Sequence, residues 1–301
     1  MDRLEAMSIL LTVVEQGSLS AAGRALKVPV PTVSRKIGEL ESLIGAKLLI
    51  RTTRSLILTE AGKAYVAAAR RILDQVDEAE RTAAGEFLIP KGELVVTAPL
   101  MFGRLHVLPI VADFLARQPA IDVRLLLADR NIHIVDDHVD MAVRIGSLPD
   151  SSLVATRVGS MRTVICASPA LLAARGEPAT PADLAAFPIV AVDTPAPFPS
   201  WTVRIAGSGA LYEIATRPRL TVTTADAALE AAMRGVGVVR LLHYQVADAV
   251  AQGRLKILFT DYEREPSPVH LVHAPAEHMP LKMRRFLDFA APRLRQGLAA
   301  L

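Results

Sequence analysis

In the N-terminal part of the chain, apolar residues recur at helical spacing and are interrupted at definite points. Leu4, Met7, Leu11 and Val14 mark one face of an amphipathic helix. Gly17 follows as a helix stop, and Ser18 or Ser20 can cap a second helix carrying Ala21, Ala22, Ala25 and Leu26. The run Lys27-Val28-Pro29-Val30-Pro31 cannot lie inside a helix, although Pro31 suits a first helical turn. Val33, Ile37, Leu40 and Ile44 mark the buried stripe of a third helix. Beyond Gly45, Lys47-Leu48-Leu49-Ile50-Arg51 and Ser55-Leu56-Ile57-Leu58 read as two short strands with 51–54 at their turn. A further helix is expected from about Thr59 to Glu86. Its apolar seam, Tyr65, Ala69, Ile72, Val76, Ala79 and Ala83, steps alternately by four and three, the spacing of paired helices. The alternative is that this stripe packs on its own chain.

From residue 91 onward short apolar runs alternate with helical patterns. Glu93 to Thr97, Asp122 to Leu127 and Met141 to Arg144 read as strands, with helices from about Gly103 to Arg117 and around Asn131 to His138. A second such region holds strands at Thr163 to Cys166, Ile189 to Val192, Arg219 to Thr223 and Gly237 to Leu241. Helices at Pro181 to Ala186 and Ala225 to Arg234 lie between them. The strand Val269 to Val272 and a last helix from Leu281 to about Leu294 return to the first region. This alternation implies mostly parallel sheets in two lobes with a cleft between them. The expected division is 1–58, a helical linker 59–90, and 91–301, with lobe I at 91–160 and 266–301 and lobe II at 161–265.

Composition adds limits. With 301 residues, 51% hydrophobic and 22% charged, the chain has the balance of a multidomain globular protein. The mean hydropathy of +0.33 is spread over Ala, Val and Leu. No apolar run nears the roughly 18 residues of a membrane span, and the charged Met1-Asp2-Arg3-Leu4-Glu5 lacks a secretory pattern, so the expectation is a cytoplasmic protein with no membrane partner. Cys166 is the only cysteine, which excludes an intrachain disulfide and a cysteine zinc cluster; its apolar neighbours suit a buried thiol. The net charge of +3 permits an anionic partner without requiring one.

Two helices joined by a tight break, then a small β wing with arginines at its tip, form a DNA-binding arrangement. The second helix of such a motif presents its leading residues to base edges in the major groove. Here these are Val30, Pro31, Thr32, Ser34, Arg35 and Lys36, whose hydroxyls and guanidinium suit bases and phosphates. Ser18 and Ser20 stand at the start of the preceding helix. Arg51, Thr53 and Arg54 of the wing are placed for the backbone or a narrow minor groove. Taken singly, each charge could also be an ordinary solvated group.

Residues 7–62 resemble the N-terminal domain of LysR-type transcriptional regulators. The matching stretches are 14–22 (Val-Glu-Gln-Gly-Ser-Leu-Ser-Ala-Ala), 33–37 (Val-Ser-Arg-Lys-Ile), Leu40-Glu41, 43–48 (Leu-Ile-Gly-Ala-Lys-Leu), 51–54 (Arg-Thr-Thr-Arg) and 58–62 (Leu-Thr-Glu-Ala-Gly). Leu49 stands where the family usually carries Phe, and Val30 where many members carry a polar residue. More loosely, 91–301 is similar to the effector-binding domain of the same regulators through Thr97-Ala98-Pro99, 140–146 (Asp-Met-Ala-Val-Arg-Ile-Gly), Ala167-Ser168-Pro169, Trp201, 235–238 (Gly-Val-Gly-Val) and Gly253-Arg254-Leu255. Leu171 and Leu242 replace the Tyr and Pro often seen nearby.

The resemblance implies an α-rich winged helix-turn-helix, a linker helix that dimerises, and a two-lobed α/β domain built like a type II periplasmic binding protein. It implies a homodimer or homotetramer, double-stranded operator DNA and a small-molecule effector as partners, and contact with RNA polymerase if the protein activates.

For the effector, the residues ending strands at the cleft are the candidates: Thr97, Pro99, Leu100, Met101, Arg144, Ile145, Thr223 and Thr224. Helix N-termini there favour carboxylates, and Arg144 offers a guanidinium fork, which points to an organic acid or similar metabolite. The threonines could instead cap helices, and Arg144 could pair with Asp140 or Asp129. His133 and His138 are five apart, not the four of a helical metal pair, and lie in an acidic turn. Gly235-Val236-Gly237 lacks the third glycine of a dinucleotide fingerprint and follows a helix. No catalytic constellation or cofactor motif stands out, so neither an enzyme nor a cofactor is expected. A solute-binding protein is the rival that the second half alone would allow.

Overall fold

The computed structural model describes residues 2–51, 56–83, 90–129, 134, 137, 139–148, 152–193, 200–205, 209–275 and 279–301. Asp2 starts helix α1 (Arg3–Gln16) by accepting the Leu4 and Glu5 backbone N–H groups, and Gly17, at φ +67°, ends it. Ser18 caps α2 (Leu19–Leu26) by accepting the Ala21 N–H at 3.1 Å. Pro29 precedes α3 (Val30–Ile44) and Pro31 lies in its first turn, where a missing N–H costs nothing. Ala6, Leu10, Val13, Ala22, Val33, Ile37 and Leu40 from these helices form one core.

Strands β1 (Leu49–Arg51) and β2 (Leu56–Leu58) pair antiparallel, Leu49 opposite Leu58. Helix α4 (Glu60–Ala83) begins directly beneath them. Thr59 caps it, its hydroxyl accepting the Gly62 N–H at 2.8 Å and donating to Lys47 O at 2.7 Å. A Cβ on Gly62 would lie 2.0 Å from Leu48 O, so only glycine allows this approach. Val66 of α4 is buried in the same core with Tyr65 of the seam packed against it, and Ala69 is fully buried, whereas Ile72 stays 37% exposed. The N-terminal half of the expected helix-pairing seam therefore packs on its own chain.

Residues 1–89 and 90–301 are separate units. In the second, β3 (Gly92–Ala98) leads into α5 (Leu100–Phe102), a π-helical turn (Gly103–Val107) and α6 (Leu108–Leu115). The helix thus starts three residues before the position expected from sequence. Pro109 cannot donate to the helical ladder, and the register shifts so that Leu108 N–H reaches Gly103 O. Strands β4 (Ile121–Leu127), β5 (Met141–Ile145) and β6 (Val154–Met161) follow. Lobe II comprises β7 (Thr163–Ala167), α7 (Pro169–Arg175), a 3₁₀ turn (Pro181–Ala186), β8 (Ile189–Val192), β9 (Ser200–Arg204), β10 (Leu211–Ala215), β11 (Pro218–Val222), α8 (Ala225–Met233), β12 (Val238–Leu242), α9 (His243–Ala251) and β13 (Lys256–Leu258). A 3₁₀ turn (Thr260–Tyr262), β14 (Ser267–His273) and α10 (Leu281–Ala299) complete the chain.

The two five-stranded sheets have the orders β4-β3-β5-β14-β6 and β11-β8-β12-β7-β13. Both are mixed, which corrects the mostly parallel expectation: β14 runs antiparallel to β5 and β6, and β7 antiparallel to β12 and β13. The reason lies in the two crossings between lobes. They join strands through Arg162 alone and through 259–266, which holds one 3₁₀ turn but not the crossover helix that a parallel return requires. Arg162 clamps the crossings together, its Nε and Nη2 donating to the Glu263 carboxylate at 2.8 and 2.7 Å.

Lobe II packs α8 and α9 on one sheet face, around Val164, Cys166, Val190 and Val239. Its other face, with Ile165, Ile189 and Val238, is covered by α7 through Leu171, by the 3₁₀ turn through Leu184 and by the antiparallel β9/β10 pair through Trp201 and Ile214. Strands β6, β9, β10 and β13 and helices α7 and α9 were absent from the sequence expectation. The helix expected around 131–138 falls almost wholly outside the described residues.

Candidate DNA interface and effector cleft

Helix α3 divides cleanly. Val33, Ile37 and Leu40 are buried, while Val30, Pro31 and Arg35 are exposed and Thr32 and Ser34 half-buried. The Arg35 guanidinium rests on Glu39 one turn later at 2.5 Å, an exposed pair that a phosphate or base can displace at little cost. Lys36 points the other way. Its ammonium is paired with Glu5 of α1 and its side chain is only 15% exposed, so it braces α3 on α1. Ser18 is engaged as the α2 cap, whereas Ser20, in the first turn of the same helix, is exposed. Arg51 ends β1; Thr53 and Arg54 lie outside the described residues.

A residue not proposed from sequence holds the wing to this helix. Glu41, 6% exposed, accepts the Leu48 and Leu49 N–H groups at 3.0 and 3.2 Å and the Lys47 ammonium at 2.6 Å. Burial pushes its carboxyl up, but Lys47 and the two N–H groups together outweigh burial and hold it below the ordinary carboxylate value. The signal was available: Glu41 is four residues after Ile37, a carboxylate on the buried face of an otherwise apolar stripe.

In the second unit the cleft candidates separate into two groups. Thr97 is buried and its hydroxyl donates to Leu126 O at 2.8 Å, a link within the sheet, and Met101 belongs to the lobe I core. Pro99, Leu100, Arg144, Ile145 and Thr224 are half-buried and Thr223 is exposed. The Leu100 N–H, which was expected to attract a ligand carboxylate, already donates to the Asp129 carboxylate at 2.9 Å. At α8 the Thr224 hydroxyl hydrogen-bonds Asp226, and that bond chiefly holds the Asp226 carboxyl below its ordinary value, helped by Arg104 of lobe I. Both helix starts thus carry carboxylates of their own. Asp140, the other suggested partner of Arg144, accepts the Val95 N–H at 2.8 Å. Arg144 itself is held below its usual value by burial.

The lobes meet through aromatic side chains. Tyr244 of α9 packs edge-on against Phe102 at 5.3 Å and near His106 at 5.5 Å, the latter within the π-helical turn. Burial pushes the Tyr244 hydroxyl up to about 12 and the His106 ring below its ordinary value. Cys166 is buried under lobe II and its thiol is likewise raised to about 12, chiefly by burial, which makes it a poor nucleophile.

A helix-turn-helix whose third helix turns a polar edge outward, followed by a two-lobed α/β binding domain, defines a ligand-responsive DNA-binding regulator. Comparisons agree: the family model for the bacterial regulatory helix-turn-helix protein, lysR family, matches residues 4–63, and that for the LysR substrate binding domain matches 89–295. The chain belongs to the LysR family of transcriptional regulators. It is 32% identical over 298 residues to an HTH-type transcriptional repressor of Pseudomonas aeruginosa strain UCBPP-PA14, covering 96% of this chain and 91% of the relative. It is also 32% identical over 296 residues to the regulator CrgA of Neisseria meningitidis serogroup B, covering 98% of each. The CrgA structure superposes with a TM-score of 0.62 at 31% identity, over 96% of this chain and 98% of that one. The full-length virulence activator AphB of Vibrio cholerae, 23% identical, shares the fold with a TM-score of 0.60 over 95% and 98% of the two chains.

Proposed function

We propose that this regulator binds a specific operator as a homo-oligomer, reads bases through the leading edge of α3, and is switched by a small organic acid held between the lobes. The observation that carries the reading is the exposed edge of α3, with Val30, Pro31 and Arg35 outward and Ser34 beside them over a buried stripe. Residues 51–54 of the wing would follow the DNA backbone, and two α3 helices in a dimer would meet half-sites one turn apart. For the effector, Arg144 is the anchor favoured here, because the start of α5 is already served by Asp129. Differential affinity of the ligand for two lobe arrangements would then shift the DNA-binding heads.

The test is operator affinity by fluorescence anisotropy. Ser34→Ala or Arg35→Ala is expected to weaken binding by about 1–3 kcal/mol and to relax specificity. Unchanged affinity in both variants would remove the assignment of α3. For the cleft, calorimetry against a panel of organic acids should show binding that Arg144→Gln abolishes; binding confined to uncharged apolar compounds would refute the acid.

A further inference from the structure

A buried nitrogen at the contact between the lobes has no partner. His106 lies in the π-helical turn, its ring 4.9 Å from Phe102 and 5.5 Å from Tyr244 of α9. Its Nε2 is buried and makes no hydrogen bond with any described residue. In the neutral ring this leaves one donor or acceptor unsatisfied. In the protonated ring both nitrogens donate, and Nε2–H becomes a charged donor without an acceptor. A cation can rest over an aromatic face, but that does not replace the acceptor a buried N–H requires.

Among the described residues no carboxylate is placed to offset that cost. Helix α5 carries no ionisable residue, Arg104 on the turn itself and Asp113 on α6 are exposed, and Lys282 of α10 is bound to the Glu93 carbonyl of β3. Asp129 is held by the Leu100 N–H. On α9 the Tyr244 hydroxyl accepts from Gln245 at 3.2 Å, and His243 senses Arg162 and Glu263 at the crossings. Burial is accordingly what acts on the His106 ring, and it holds the ring below its ordinary value of 6.5.

We propose that His106 is a proton-operated release for the lobe contact: at acid pH its ring takes up a proton when the π-helical turn and α9 part and water reaches Nε2. The opened form binds one more proton than the closed form. The contact of Tyr244 with Phe102 and His106 is therefore at full strength above about pH 6.5 and weakens as pH falls below it. The lobe arrangement then depends on pH without any ligand, so this proposal stands or falls apart from the effector reading.

The test is amide hydrogen exchange on the ligand-free full chain at pH 7.5 and 5.5, corrected for the intrinsic pH dependence of exchange. An opened form whose His106 titrates at about 6.5 gains about tenfold in population at pH 5.5. Protection in residues 100–107 and 243–251 should fall by about that factor, while β7 and β8 keep theirs. His106→Gln and His106→Phe, uncharged at both pH values, should each abolish the response. His243→Gln and His270→Gln should leave it in place. Equal protection at both pH values in the wild type, or a fall of the same size in both His106 variants, would overturn the proposal. So would a loss that extends to β7 and β8, or one that disappears with His243 or His270 instead.

Discussion

Single residues decide whether the DNA-binding head keeps its shape, and Glu41 is the plainest case. Its carboxylate satisfies two backbone N–H groups at the start of the wing. Removing a charged acceptor from such groups costs about 1–3 kcal/mol, the lower part applying here because the Lys47 partner is largely in solvent. Since the folded carboxyl titrates below its unfolded value of about 4.3, its contribution is complete above that pH and is lost as pH falls through the lower folded value. Glu41→Gln should therefore destabilise the protein at neutral pH and show a shallower loss of stability between about pH 5 and 3. Denaturant titrations across that range check this; parallel curves for the two proteins would assign Glu41 no linkage. Lys36 carries a related lesson. Spacing alone assigned it to DNA with its neighbour Arg35, yet one residue of rotation around α3 turns it onto Glu5 instead.

Among the elements, α4 does two jobs along its length. Its first turns are fixed to the helix-turn-helix by Gly62 against Leu48 and by Val66 in the core with Tyr65 against it. Further on, Ile72 is 37% exposed on a helix that continues to Ala83, an apolar residue lacking full cover within this chain. Under the dimer reading this part of the seam pairs with a second copy. Ile72→Glu should then shift the protein from dimer to monomer in sedimentation velocity and weaken operator binding, because each half-site is then bound singly. A dimer of unchanged stability would move the contact elsewhere.

At the scale of the whole effector domain, the lobes touch through Tyr244, Phe102 and His106. Truncating an aromatic group in such a contact costs about 3 kcal/mol or more. Tyr244→Ala should accordingly lower thermal stability and, under the proposed switch, in which a ligand selects one lobe arrangement, change effector affinity as well. Calorimetric melting with and without ligand separates the two effects, and loss of stability with unaltered effector affinity would show that the contact plays no part in the switch.

The apolar spacing misplaces the buried face of α1, since Leu4 is exposed while Ala6, Ile9, Leu10 and Val13 fill the core, and Ile44 at the end of the α3 stripe is exposed as well. Helices α1 to α4, the wing strands and the two-lobed alternation were legible in the residues, because they rest on local spacing and on the punctuation of Gly17, Pro29, Pro31 and Gly45. Strand β6 was not, since among its eight residues only Val158 and Met161 are buried and no alternation stands out. The partners of polar groups were equally hidden. Thr97, Leu100 and Thr224 met as strand ends look like ligand contacts, yet Leu126 O, Asp129 and Asp226 respectively take them up. Asp129 and Leu126 lie almost thirty positions away from their partners, and no spacing rule reaches that far. Sequence alone settled the elements and the family, because backbone propensity and apolar period act over a few residues. The three-dimensional fold decided which carboxylates are already spent and how the strands run between lobes, because these depend on contacts between distant segments.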